Sequence, residues 1–296
     1  MRRFEFHTVD VFTDTRFGGN PLAVFPDAQG LSDAEMQSLA AEMNLSETTF
    51  VLPPSDPANT AQVRIFNRTA EMPFAGHPNV GTAVVLANLG LTHGDPLRFE
   101  EMAGLVEVDL LRGDDGSATG ASITAPRPLE TFGELRPESI AECLGLEAAD
   151  VVLRTHRPVV AGVGVDFVLV EVTLDAIGRA SPRLEAFRRT HAESGLASDR
   201  LSIFIYAHWG AGIRARMFAP MSGTWEDPAT GSANAAVAAL LLSHSEQQSL
   251  SLDSRQGVEM GRPSWLLLRG WRDETGIRAG VGGMCVPMFS GHVELE

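Results

Sequence analysis

Two copies of one short turn, each opening an apolar run, set the frame for this chain. Pro73-Phe74-Ala75-Gly76-His77-Pro78-Asn79 aligns without a gap on Pro228-Ala229-Thr230-Gly231-Ser232-Ala233-Asn234, 155 residues on, and Glu71 falls on Glu226. The runs that follow, Val80 to Leu89 and Ala235 to Leu242, are shorter than the roughly 20 residues a membrane-spanning helix needs. They are apolar on every side, so each is expected to form a helix buried inside a sheet. A helix that starts on glycine and small residues presents backbone N–H groups and the positive end of its dipole. Such a start suits a carboxylate or phosphate. Two of them related by an internal repeat predict two lobes that grip one small anion.

The remaining patterning is rich in strands. Phe4 to Phe12 alternates as a strand, and Gly18-Gly19-Asn20-Pro21 turns it into a second at Leu22 to Phe25. Ser32-Asp33-Ala34-Glu35 is a capping box opening a helix with Met36, Leu39, Ala40 and Met43 on one face. Strands are expected at 49–52, 62–66, 97–99, 105–111 and 118–125. Pro137 to Leu144, with Pro first and Gly145 after its end, predicts a helix bridging the halves. In the second half, strands are expected at 167–172, 201–206, 215–218, 249–252, 258–260, 265–268 and 277–279, with a helix from Ser181 to about Glu193. Phe99 to Gly104 aligns with Leu252 to Gly257, a spacing of 153. A last strand, Val286 to Leu295, is one too many for the second half and is expected to return to the first.

This order gives an α+β fold: two pseudo-symmetric lobes, each a curled, mostly antiparallel sheet around a central apolar helix. The lobes are expected at residues 1–125, with 286–296 returning, and at 126–285. Regular strand–helix alternation is missing, which argues against a parallel doubly wound fold. Gly162-Val163-Gly164 runs into a strand and lacks the third glycine of a dinucleotide fingerprint.

Composition removes several chemistries. All 23 basic residues are Arg, so there is no Schiff-base lysine and no P-loop lysine. A formal charge of −15 argues against nucleic acid or an anionic membrane as partner. Cys143 and Cys285 stand in no metal or redox spacing, and the eight histidines show no ligand pattern, so no metal is expected. The first residues lead straight into a strand without an apolar leader, and a cytoplasmic protein is expected.

Three residues could move protons. Glu47 lies between a helix end and a strand among neutral neighbours; it is either a solvated loop glutamate or a partly desolvated acid able to exchange protons near neutrality. His77 stands in the first turn of the apolar helix, either as a cap or as a neutral proton shuttle held uncharged by the dipole. Asp227, like Glu71 and Glu226, could be a helix cap. Facing lobes would bring Glu47, His77 and Asp227 together. Arg64, Arg68, Arg214 and Arg216 read mostly as surface or pairing residues, one or two of which could clamp an acidic substrate.

At these residues the sequence resembles the phenazine-biosynthesis isomerase (PhzF-like) family, which shares the diaminopimelate-epimerase fold. The matching stretches include Val9-Asp10-Val11-Phe12, Gly19-Asn20-Pro21-Leu22-Ala23-Val24, Met43-Asn44-Leu45-Ser46-Glu47-Thr48, both glycine turns, Gln256-Gly257 and Gly261-Arg262-Pro263. The resemblance implies a cofactor-free isomerase, often a homodimer, with Glu47 as general acid/base and His77 and Asp227 assisting. It places Gly76, Gly231, Ser232 and Asn20 around the carboxylate of a small substrate. Related epimerases carry a pair of thiols at the two helix starts; neither cysteine lies there in this chain. Phe66-Asn67-Arg68-Thr69-Ala70-Glu71 also replaces the family's commoner Phe-Thr-Pro run before the first turn. The expected function is therefore a proton shift on a small carboxylate-bearing metabolite. The rivals are a dehydratase or lyase using the same acid/base, and a small-acid binding protein without turnover.

Overall fold

The computed structural model describes residues 1–196 and 200–296. The chain gathers into two units, Met1–Pro126 with Gly280–Glu296, and Arg127–Ala279. In the first, β1 (Arg2–Val11) pairs antiparallel with β2 (Asn20–Phe25). After α1 (Asp33–Met43), β3 (Glu47–Leu52) lies parallel to β2 and antiparallel to β4 (Ala61–Phe66). The two-residue β5 (Glu71–Met72) leads into α2 (Gly76–Asn88). Then β6 (Leu97–Glu101) joins β4 in parallel, and β7 (Gly104–Arg112) and β8 (Ala118–Thr124) follow as a meander. The last strand of the chain pairs with both β8 and β1, so the strands of this unit close into a ring. Inside it α2 packs on β1, β2, β3, β7 and β8.

The second unit follows the same plan. It begins with β9 (Glu130–Glu134), α3 (Pro137–Leu144), β10 (Val159–Gly162) and β11 (Asp166–Glu171). Next come α4 (Leu174–Arg179), α5 (Leu184–Ser194), β12 (Ile203–Trp209), β13 (Gly212–Ala219) and β14 (Thr224–Asp227). It ends with α6 (Gly231–Ser243), β15 (Ser249–Gln256), β16 (Ser264–Asp273) and the start of β17 (Gly276–Leu295). The pairings β10 to β16 reproduce β1 to β7 in order: antiparallel, parallel, antiparallel, antiparallel, parallel, antiparallel. The duplication is therefore one of topology, with α2 and α6 each of 13 residues and displaced by the same 155.

Local chemistry explains the elements. Ser32 and Glu35 form the capping box, and Asn44 ends α1 in the left-handed region at φ 52°. Both central helices are buried almost throughout, as an apolar surface on every side requires. Among the described residues no helix is long and apolar enough to cross a membrane.

Several expectations change. Glu47 is not in a loop: it is the first residue of β3, opposite Leu22. Helix α3 does not bridge the halves but belongs to the second unit, packed on α5. The segment 258–260 is a turn, closed by the N–H groups of Met260 and Arg262 donating to Gly257 O. Gly257 sits there at φ +74°, and a Cβ would meet Arg262 O at 2.4 Å and Pro228 O at 2.6 Å, so the strand must end. Helix α5 starts at Leu184 rather than Ser181, and β5, β9, β10, β14 and α4 carry too little local pattern to have been read.

The glutamates before the glycine turns are not helix caps either. Arg64 Nε and Nη2 donate to the two oxygens of Glu71, both at 2.7 Å. Arg216 Nε and Nη2 donate to Glu226 at 2.7 and 2.8 Å. Each guanidinium also lies over the ring two residues on, Phe66 and Phe218. Arg64 is a partly exposed fork with Asp33 as a further partner, whereas Arg216 is buried and also donates to Ile177 O and Ala180 O. These arginines are structural pins and hold no hand free for a substrate. Breaking a buried pair from one side leaves an unpaired charge and costs about 3–5 kcal/mol. We predict that Glu226→Gln lowers unfolding free energy in urea by about that amount, and that Glu71→Gln, at the more exposed copy, costs clearly less.

Candidate functional site

The first unit assembles a polar chain at the buried start of α2. His77 is its second residue and is 5% exposed. Asn20 Nδ2 lies 3.4 Å from His77 Nδ1, and Glu47 Oε2 lies 3.3 Å from His77 Nε2. Three strand and helix starts, far apart in sequence, supply one residue each: β2, β3 and α2.

Each is fixed for a local reason. Gly19, at φ +61°, passes so close to β1 that a Cβ would stand 2.3 Å from Val11 O; this approach seats Asn20 opposite Val11. Glu47 and Thr49 share one face of β3 by strand alternation. Thr49 Oγ1 is 2.8 Å from the hydroxyl of Thr82, five residues beyond His77 on α2. This buried hydroxyl pair ties the strand carrying Glu47 to the helix carrying His77, and such a bond is worth about 1 kcal/mol.

The electrostatics follow from burial. Removal from water pushes the His77 imidazole down from 6.5 to about 3, so the ring is neutral at ordinary pH. The sequence suggested the helix dipole as the cause; burial is what dominates. With Asn20 Nδ2 donating to Nδ1, the neutral ring carries its proton on Nε2, toward Glu47. That contact is close but not aligned as a hydrogen bond. The Glu47 side chain is 16% exposed, so the carboxylate is half withdrawn yet reachable. A neutral imidazole N–H beside a reachable carboxylate is a donor–base pair.

The second unit builds a tighter arrangement at the start of α6. The Thr230 hydroxyl donates to Asp227 Oδ2 at 2.5 Å. Gln256 Oε1 accepts from Thr230 N and Asn234 Nδ2, while its Nε2 donates to Asp227 O and Thr230 Oγ1. Gly231 opens the helix and is buried; Ser232 beside it is half-buried. Neither α2 nor α6 has a side-chain cap or an acidic residue in its first turn. Both starts therefore keep the donor character that suits an anion.

The structure thus groups Glu47, His77, Asn20 and Gly76 in one unit, and Asp227, Gly231 and Ser232 in the other. Sequence reading missed Thr230, Gln256, Asn234 and the Thr49–Thr82 pair. The repeat of Asn79 on Asn234 was a signal for Asn234, and Gln256-Gly257 stood out only as a motif. Both thiols are buried, and burial raises Cys143 to about 11 and Cys285 to about 12, which suits neither to proton transfer at neutral pH. The run Asn67 to Ala70 forms a side-chain-braced turn, with Asn67 Oδ1 accepting from the N–H groups of Thr69 and Ala70.

A depressed histidine destabilises the fold in acid. The unfolded chain takes up a proton near pH 6.5 that the folded chain refuses until about 3, so this stability is present above 6.5 and lost as pH falls between those values. We predict that His77 ring nitrogen signals show a neutral imidazole at pH 5, and that His77→Gln loses less stability than wild type between pH 6.5 and 4.

The model for the family of phenazine biosynthesis-like proteins matches residues 9–291. An uncharacterized isomerase of Mesorhizobium japonicum is 37% identical, covering 90% of this chain and 91% of that one. The trans-2,3-dihydro-3-hydroxyanthranilate isomerase of Pseudomonas aeruginosa is 37% identical, with 88% of each chain covered. Among solved structures, the Bacillus anthracis phenazine biosynthesis protein of the PhzF family superposes with a TM-score of 0.87 at 25% identity, covering both chains in full. With this family's isomerases matched over most of its length, and a neutral histidine set beside a half-withdrawn glutamate, the chain belongs to the phenazine biosynthesis-like protein family and is an isomerase.

Proposed function

We propose that this isomerase moves a proton on a small carboxylate-bearing metabolite, with Glu47 as general acid/base. The observation that carries the reading is the 3.3 Å approach of Glu47 Oε2 to Nε2 of a neutral, buried His77. Glu47 as carboxylate takes a proton from a carbon of the substrate. The His77 N–H, fixed by Asn20 and directed at Glu47, steadies the carboxylate as its charge changes. The Glu47 proton exchanges with solvent, Glu47 then delivers a proton to a different carbon, and the double bond shifts with it. The balance closes: one C–H bond breaks, one forms, and no other reactant is consumed. Side chains and backbone donors suffice for this step, so the reading needs no cofactor.

The substrate carboxylate is assigned to the uncapped helix start beside Glu47 and His77, where Gly76 supplies the donor turn. The start of α6, with Gly231, Ser232 and Asp227, is the second candidate anion turn, in its own unit. The diaminopimelate-epimerase-like architecture is part of the same reading, supported by the repeated pairing order and by a buried helix at the centre of each unit.

Because a relative acts on trans-2,3-dihydro-3-hydroxyanthranilate, that compound is the first substrate to assay. In D2O the product is expected to carry deuterium at one carbon without loss of water. Water loss would point instead to a dehydratase or lyase. We predict that Glu47→Gln lowers kcat by about 10²–10⁴ while a substrate-like carboxylic acid still shifts the melting temperature. Wild-type turnover in Glu47→Gln overturns the assignment, and ligand binding without turnover by the wild type across a panel of amino and hydroxy acids supports a binding protein.

A further inference from the structure

The two glycine turns are stitched differently, and the difference falls on Glu101. Asn79 and Asn234 are repeat partners, both fully buried, and each donates from Nδ2 to the carbonyl four residues before it, Ala75 O and Thr230 O. In the second unit Asn234 also donates to Gln256 Oε1 at 2.8 Å. Strand register identifies the counterpart of Gln256. β4 pairs with β6 through Ala61↔Phe99 and Gln62↔Glu100, and β13 pairs with β15 through Ile213↔Ser254 and Arg214↔Arg255. Continuing each pairing sets Glu101 on Gln256, 155 residues on, a two-residue correction to the spacing read from the sequence. A carboxyl therefore stands in the first unit where an amide stands in the second.

That carboxyl is withdrawn from water, and both of its oxygens lack a hydrogen-bond partner. The Asn79 amide acts on it as a donor, which favours the charged form, and Asn79 Oδ1 is itself buried without a partner. A carboxyl buried without a cation beside it is unfavourable unless it carries a proton, since each orphaned polar atom costs about 1–3 kcal/mol. A proton on the carboxyl removes the buried charge. It also makes Glu101 what Gln256 already is, an uncharged group with a donor and an acceptor. Burial pushes Glu101 up from 4.5 to about 8, in agreement, with the Asn79 amide opposing.

The place matters because the turn after β6 is fastened to the helix start: Ala103 N donates to Pro73 O at 3.0 Å. Charged groups nearby are engaged elsewhere. On its own strand Glu100 accepts from the N–H groups of Ser55 and Asp56 and from Asn59 Nδ2, and Arg98 pairs with Glu107 of β7. Arg64 of β4 is held by Glu71 of β5 and by Asp33. The one titratable residue on α2 is His77, and it is neutral.

We propose that Glu101 is kept as a neutral carboxylic acid beside Asn79, and that it is the positioning residue of the His77 turn, keeping negative charge away from the start of α2. An ionised Glu101 would compete with a bound carboxylate for the positive end of that helix. This last consequence rests on the anion-binding reading above; the protonation and the positioning do not.

The test uses the whole protein without substrate. For an acid whose folded pKa is raised, stability is full below the unfolded value and lost as pH rises through the folded one. Between pH 5 and 9 the unfolding constant of wild type is expected to rise, relative to Glu101→Gln, by on the order of 10²–10³. Parallel profiles for the two proteins overturn the proposal. If Glu101→Gln does not fold, the side-chain carboxyl carbon of Glu101 in wild type, assigned with Glu101→Asp, decides by NMR: a midpoint above pH 7 supports the proposal and one below 7 overturns it. Glu101→Leu, which keeps bulk but loses the donor, is expected to shift the His77 ring nitrogen signals, and Glu101→Gln to restore them. Equal His77 spectra in Glu101→Leu and wild type would remove the positioning role.

Discussion

Taking a helix start out of water without a side-chain cap is the constraint on which the rest of the first unit depends. The N–H groups of α2 and the imidazole of His77 are enclosed together, and enclosure alone holds that ring neutral. A neutral ring then needs its tautomer set, which Asn20 does, and its outward N–H needs a partner, which Glu47 approaches. The strands are arranged to make these contacts: Gly19 allows β2 close to β1, and the Thr49–Thr82 pair keys β3 to the helix. Burial, tautomer and the approach of the carboxylate are thus one linked arrangement rather than three separate features.

The duplicated unit provides an internal control on what such a turn requires. In the second copy, polar groups close a network through Gln256, Thr230, Asn234 and Asp227. There the donors and acceptors balance without charge on Gln256. The first copy has a histidine where the second has Ser232, and a glutamate where the second has Gln256. The two units share a topology and a buried helix, and their turns differ in polar content: Asn20, Glu47 and His77 collect at the first, a network of Asp227, Thr230, Asn234 and Gln256 at the second. The Arg–Glu forks before the turns are the common scaffold, since both copies keep them with the same two-oxygen geometry.

Much of the local structure could be read from the chain. The capping box of α1, the proline-first, glycine-last α3 and both central helices follow from short-range rules. So do the strands with clear alternation. Reading failed where the decisive partner was distant. Nothing near Glu47 announces that it begins a strand, because its place is set by Leu22 across the parallel pairing. Residues 258–260 are apolar enough for a strand, but Gly257 must stay against Pro228 and the ladder stops. Arg216 read as a surface or pairing residue; its pairing with Glu226 is local, but its burial was not legible because its carbonyl partners, Ile177 and Ala180, are nearly forty residues away.

The sequence by itself determined the duplication, the two glycine helix starts, the sheet-rich class and which titratable residues stand near those starts, because repeats, periodicities and caps act within a few residues. Tertiary structure alone decided which of those residues meet and in what state of charge. Hydrogen bonding between Asn20 and His77, the withdrawal of His77 and Glu101 from water and the loss of Glu71 and Glu226 to arginine forks all arise from enclosure and long-range pairing. Those quantities do not exist until the chain has folded.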